Sequence, residues 1–198
     1  MPLENWNTFA TLGTFVVIAA TAVAALIQLR HARSGNQIAA LTELRDAFQS
    51  REFSEARAFV ETRLSELVNN PEFRYQYANR AARTEEFFEQ INCARLIGNY
   101  FEDMGALIVA GLIDRDLVAI IYSSDVTGAW ERLEPLVAIG RRSVGDALWE
   151  NFEYAAMVSQ KWIDAHPNGG YPSGAPRLPV RDPWLEADLA YVASRAPV

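Results

Sequence analysis

Between Phe9 and Leu29 the chain reads FATLGTFVVIAATAVAALIQL and carries no charged residue. Roughly 20 apolar residues are what a helix needs to cross about 30 Å of hydrocarbon. A lone segment in lipid must pair all its backbone groups internally, so it has to be helical. The run therefore predicts a single membrane helix over 9–29, with nearly all the remaining mass on one side. Glu4 is the only charge before it, while Arg30, His31 and Arg33 follow it. Basic residues favour the cytoplasmic side, so this asymmetry predicts an N-terminus outside and a cytoplasmic remainder. A cleaved leader would place its positive charge before a core of about 7–15 residues, the reverse of this arrangement. Trp6 precedes the run as an interfacial anchor.

Within the run, Gly13, Ala20 and Ala24 are small, and Ala20 and Ala24 form a small-xxx-small pair at which a second helix can approach closely. No ionisable group lies in the segment. Proton and ion pathways are marked by such groups, so transport through this helix has no residue to carry it.

The chain has a formal net charge of -7, with Lys161 as its only lysine. Nucleic acid is not expected as a partner, since phosphate backbones demand clustered Lys and Arg. Cys93 is the only cysteine, which excludes an internal disulfide framework and a cysteine zinc site.

Beyond the apolar run the periodicity is helical throughout, and no convincing period-2 strand or internal repeat interrupts it. Ile38, Leu41, Leu44 and Phe48 continue at helical spacing, so the membrane helix is expected to extend as one rod. Ser54 is the expected N-cap of the next helix, which Asn69, Asn70 and Pro71 stop. Thr84 opens a long central helix through Ile91, Ile97, Phe101 and Met104, with Gly111 suited to its C-terminal end. Asp114 caps the following helix through Leu117, Ile120 and Ile121. Another helix, interrupted or bent near Pro135, is expected around Trp130 to Val137, and a last long one from about Asp146 to Ile163.

The fold expected is all-α: a single membrane helix followed by a cytoplasmic helical bundle. The segments are an extracytoplasmic start (1–8), the membrane helix (9–29), the bundle (30–165), a Pro/Gly-rich linker (166–183) and a short amphipathic helix and tail (184–198). Trp184, Leu185, Leu189 and Val192 share one face of that last helix, a face suited to docking on its own bundle or on a partner.

Few residue patterns in the chain point to chemistry. Gly140, Ser143 and Gly145 are wrongly spaced for a nucleophile elbow, and no phosphate-binding glycine pattern occurs. Di-iron bundles require Glu-x-x-His on two helices, and neither His31 nor His166 has a Glu three residues before it. No catalytic residue, cofactor site or metal site is assigned. Asn92, Arg95, Asn99 and Glu102 form a polar stripe on the central helix, either a solvated face or a network that specifies the bundle or receives a ligand. Arg141 and Arg142 are an adjacent basic pair, below the cluster size that lipid recognition usually needs. Trp130, Trp149 and Trp162 read as core residues or a pocket lining.

Three segments, NYFEDMGALIVAGLIDRDLV (Asn99 to Val118), AWERLEPLV (Ala129 to Val137) and LWENFEYAA (Leu148 to Ala156), together with RHARSGNQ (Arg30 to Gln37), carry a resemblance. The chain resembles a bacterial family of unknown function made of single-pass membrane proteins with a helical cytoplasmic domain. The resemblance implies a bacterial inner-membrane setting and no activity. Glu102, Trp130, Glu131, Pro135, Glu153 and Tyr154 fall within these segments. The functional expectation is a non-enzymatic, membrane-anchored interaction protein, a scaffold or accessory subunit. Its partners would be the bilayer and either other membrane helices or its own copies. The alternative is a membrane-anchored ligand-sensing or signalling protein that self-associates.

Overall fold

A computed structural model describes residues 3–195, with side-chain surroundings from Gly13 onward except at Arg33. The expected anchoring role of Trp6 and the flanking charge of Arg33 lie outside the described side chains. The described residues fall into two compact units divided after Pro167. They form helices and connecting turns, with no strand among them.

Helix α1 runs unbroken from Leu3–Phe48 and joins the apolar run to the stripe that follows it. At about 1.5 Å per residue it is roughly 69 Å long. It is long and apolar enough to cross a membrane, and no side chain of its apolar window is buried. Gly35 does not break it, because one exposed glycine costs a helix only about 1 kcal/mol. Thr21 Oγ1 donates to the Val17 carbonyl at 2.8 Å, so this hydroxyl is satisfied within the helix.

The rod ends inside the first unit. Leu44 is buried and Phe48 packs against the core. Ser50, rather than the expected Ser54, is the N-cap of α2 (Arg51–Thr62), its side chain accepting from the Phe53 amide at 3.1 Å. The turn after Phe48 needs only two residues before helix resumes, so Ser54 already lies in the first turn, where it donates back to the Ser50 carbonyl. Two short helices follow, α3 (Leu64–Asn69) and α4 (Pro71–Ala78), the latter capped by Asn70 and opened by Pro71. A 3-10 turn at Arg80–Ala82 leads to α5 (Glu85–Val109), capped by Thr84.

Gly111, at φ 67°, closes α5 in the left-handed conformation that glycine adopts without steric cost. Asp114 caps α6 (Arg115–Val144) by accepting from the Asp116 and Leu117 amides. The two helices expected here are one, and Pro135 lies within it. Pro135 removes a backbone donor, but Leu133, Leu136 and Val137 beside it are all buried, and this burial carries the helix through.

Helix α7 (Glu150–Ala165) begins later than expected, because 145–149 form a turn. It packs along both α5 and α6, and α2 lies against α5. The centre is aromatic: Phe101 stacks on Phe152 at 5.1 Å, and Trp130 meets Phe152 edge-on at 5.1 Å.

The second unit contains the Pro/Gly segment and α8 (Leu185–Arg195). Asp182 accepts from the Trp184 amide just before α8, and Tyr171 donates to the Pro176 carbonyl.

Candidate functional site

The polar stripe on α5 divides into two. Asn99 Oδ1 accepts from the Trp149 indole at 3.0 Å. Glu102 accepts from the Asn151 amide at 2.7 Å through one oxygen and from the Phe152 backbone N–H at 2.9 Å through the other. The residue preceding α7 is Trp149, which has no capping side chain and sits at φ 52°, in the left-handed region. A helix start leaves its first amides without partners, and a carboxylate there is favoured by the helix dipole. Glu102 thus supplies from a neighbouring helix the cap that α7 lacks locally.

Glycines let the two segments meet. A Cβ at Gly98 would overlap the Trp149 ring, and one at Gly105 would overlap the Asn151 carbonyl. Gly98, Asn99, Glu102 and Gly105 therefore form one contact face for the start of α7. Arg141 completes the joint from α6. Its Nε and Nη2 donate to the Leu148 carbonyl at 3.2 and 3.0 Å, and Nη2 also pairs with Glu153 at 2.7 Å. With both Glu102 oxygens holding donors, the arrangement is suited to positioning α7.

Asn92 and Arg95 do not share in this bonding; both are exposed. Arg95 and Asn99 line a cleft of about 280 Å³ with Arg80 and Arg83, walled by Tyr77, Phe87 and Trp149. The Arg83 guanidinium is held in place. It donates to the Gln76 and Tyr77 carbonyls at 3.2 and 2.8 Å and lies 5.4 Å from the Phe87 ring centroid. Burial pushes the Tyr77 hydroxyl above its ordinary pKa, against the opposing pull of Arg83 and Arg95. Arg80 and Arg83 escaped the sequence reading. A usable signal was the stretch from Phe73 to Thr84, which has no acidic residue and three arginines, Arg74, Arg80 and Arg83.

A second cleft, of about 410 Å³, lies beside α2 and α6. Within it Arg57 pairs with Glu61 at 3.0 Å and with Asp125 at 3.1 Å, and Glu131 and Arg132 line it as well.

The joint between α1 and the bundle is made by Tyr100, whose hydroxyl donates to the Leu44 carbonyl at 2.9 Å. Phe48 packs against Phe53 at 4.9 Å and Tyr122 at 5.4 Å. Burial raises the Tyr100 hydroxyl well above its ordinary pKa, with Tyr122 and Asp125 adding to the effect.

The remaining candidates are dispersed. Gly13, Ala20 and Ala24 are exposed along α1, and nothing lies within 4 Å of a Cβ placed on Gly13. Trp184, Leu185, Leu189 and Val192 are exposed on and beside α8. Trp149 is buried, Trp130 packs against the core, and Trp162 stacks on His166 at 4.5 Å. His166 Nδ1 lies 2.8 Å from the Trp162 carbonyl. Burial, then the nearby Glu55, pushes the Cys93 thiol up. Among the described residues no group of three or more His, Cys, Asp or Glu could hold a metal ion.

Residues 15–162 match a family described as a domain of unknown function (DUF4760). No curated protein and no solved structure matches the chain.

Proposed function

The chain belongs to the DUF4760 family, and we propose that it is a membrane-anchored interaction protein, a scaffold or accessory subunit of a membrane assembly. One observation carries this reading. Helix α1 is apolar and uncovered by its own chain over one half, while its other end is fixed in the bundle core through Leu44, Phe48 and Tyr100. An uncovered apolar helix of this length needs lipid or another helix around it. The fixed end makes the bundle an extension of the membrane segment. In this reading the N-terminus lies outside and the bundle in the cytoplasm of a bacterial inner membrane, an orientation that the basic residues after the apolar run support. Ala20 and Ala24 give a partner helix its closest approach.

Support also comes from the polar groups of the central helix. Asn99 and Glu102 are engaged in holding α7, which favours a binding module over an enzyme.

The test is extraction of membranes from native-level expression with alkaline carbonate, followed by mild detergent and mass measurement of the particle. The expected result is retention in the carbonate pellet and a particle heavier than one chain, which Ala20→Leu with Ala24→Leu lightens. A carbonate-soluble protein, or a strictly monomeric particle with nothing co-purifying, would overturn the proposal.

A further inference from the structure

We infer that the cleft between α4, α5 and the C-terminal end of α6 binds a phosphate group through Arg80, Arg83 and Arg95. The chain is acidic overall, with a net charge of -7, yet three arginines line this one cleft and no Asp or Glu lines it with them. Four arginines elsewhere are ion-paired: Arg51 with Glu55, Arg57 with Glu61 and Asp125, Arg115 with Asp116, and Arg141 with Glu153. Arg80 and Arg95 have no ion pair or side-chain hydrogen bond among the described residues. Like charges gathered in a cleft raise the local potential and attract an anion.

Two backbone carbonyls and the Phe87 ring fix the Arg83 guanidinium, leaving its Nη1 donors without a hydrogen-bond partner among the described residues. A pre-oriented guanidinium loses little freedom on binding. Arg80 and Arg95 are exposed and line the same cleft. Ser143 and Asn99 line the same cleft as neutral polar groups.

The donor set selects the anion. A carboxylate has two oxygens and one charge, which one guanidinium fork satisfies. A phosphate monoester or pyrophosphate offers more oxygens and about two or more charges, matching several forks at once. The volume suits a small group, and Phe88 at the rim offers an apolar surface to whatever bears the phosphate. The bearer is a soluble phosphate compound or the headgroup of an anionic phospholipid.

The experiment uses the full chain in neutral detergent. One arm titrates inorganic pyrophosphate by calorimetry. The other measures binding to mixed micelles containing phosphatidic acid against micelles containing phosphatidylcholine. Saturable pyrophosphate binding assigns a soluble ligand. Binding to phosphatidic acid without pyrophosphate binding assigns the headgroup. In either case Arg80→Gln with Arg95→Gln should weaken binding by roughly tenfold or more, while Arg142→Gln, an exposed arginine outside the cleft, should leave it unchanged. Arg95→Gln alone, on an exposed helix position, serves as a second variant and should weaken binding measurably. Saturable binding of neither probe, or equal binding by wild type and the double variant, would overturn the inference.

Discussion

Glu102 reaches from the middle of one helix to the beginning of another, and its carboxylate there serves two donors at once. Removing it strands the Asn151 amide and the Phe152 N–H at a half-buried helix start. Glu102→Ala should therefore cost about 1–3 kcal/mol of stability, and Glu102→Gln about half as much, since one acceptor oxygen remains. Thermal melting followed by circular dichroism reads both. Tyr100 gives a pH signature. Its folded-state pKa is raised by burial, so its contribution is fully present below its ordinary value of about 10. That contribution is lost as pH rises from there toward the higher folded value, because the unfolded chain ionises first. Tyr77 and Tyr122 shift in the same direction. Denaturant midpoints measured from pH 8 upward should fall above about pH 10, and less steeply in Tyr100→Phe.

Among the elements, α6 carries an avoidable cost. Pro135 sits on its exposed side, where the helix has lost one backbone bond. Pro135→Ala restores that donor and should stabilise the fold by about 1–3 kcal/mol, read as a higher melting temperature. Pro135 also explains why a bend was expected where a single helix exists: local propensity favoured a break, and burial of Leu133, Leu136 and Val137 outweighed it. Most elements were legible because their ends are written locally. Thr84, Asn70, Asp114 and Gly111 each act on amides or carbonyls within a few residues. The start of α7 was not legible for the opposite reason. Trp149 and Asn151 lie some fifty positions from Asn99 and Glu102, and no local pattern announces a cap supplied from that far. Asp146 offered a local start instead, whereas Trp149, which actually precedes α7, has no capping side chain. The arginine cleft was likewise hidden, since the turn at Arg80–Ala82 brings Arg80 and Arg83 beside Arg95 only in three dimensions.

At the scale of the whole molecule, the joint at Tyr100 matters because it ends an uninterrupted helix. Such a helix transmits rotation as well as position. Each residue inserted between Arg30 and Gln37 would turn the bundle by about 100° around the helix axis and move it out by about 1.5 Å. Seven inserted residues would return it to within about 20° of its starting azimuth. Capture of a membrane partner by the bundle should accordingly rise and fall along an insertion series with the period of the helix, checked by co-purification from membranes. A smooth decline with length would instead mark a flexible tether. The arginine cleft would sweep around the same axis, so the phase of one helix sets the compass bearing from which a neighbour or a ligand can reach it.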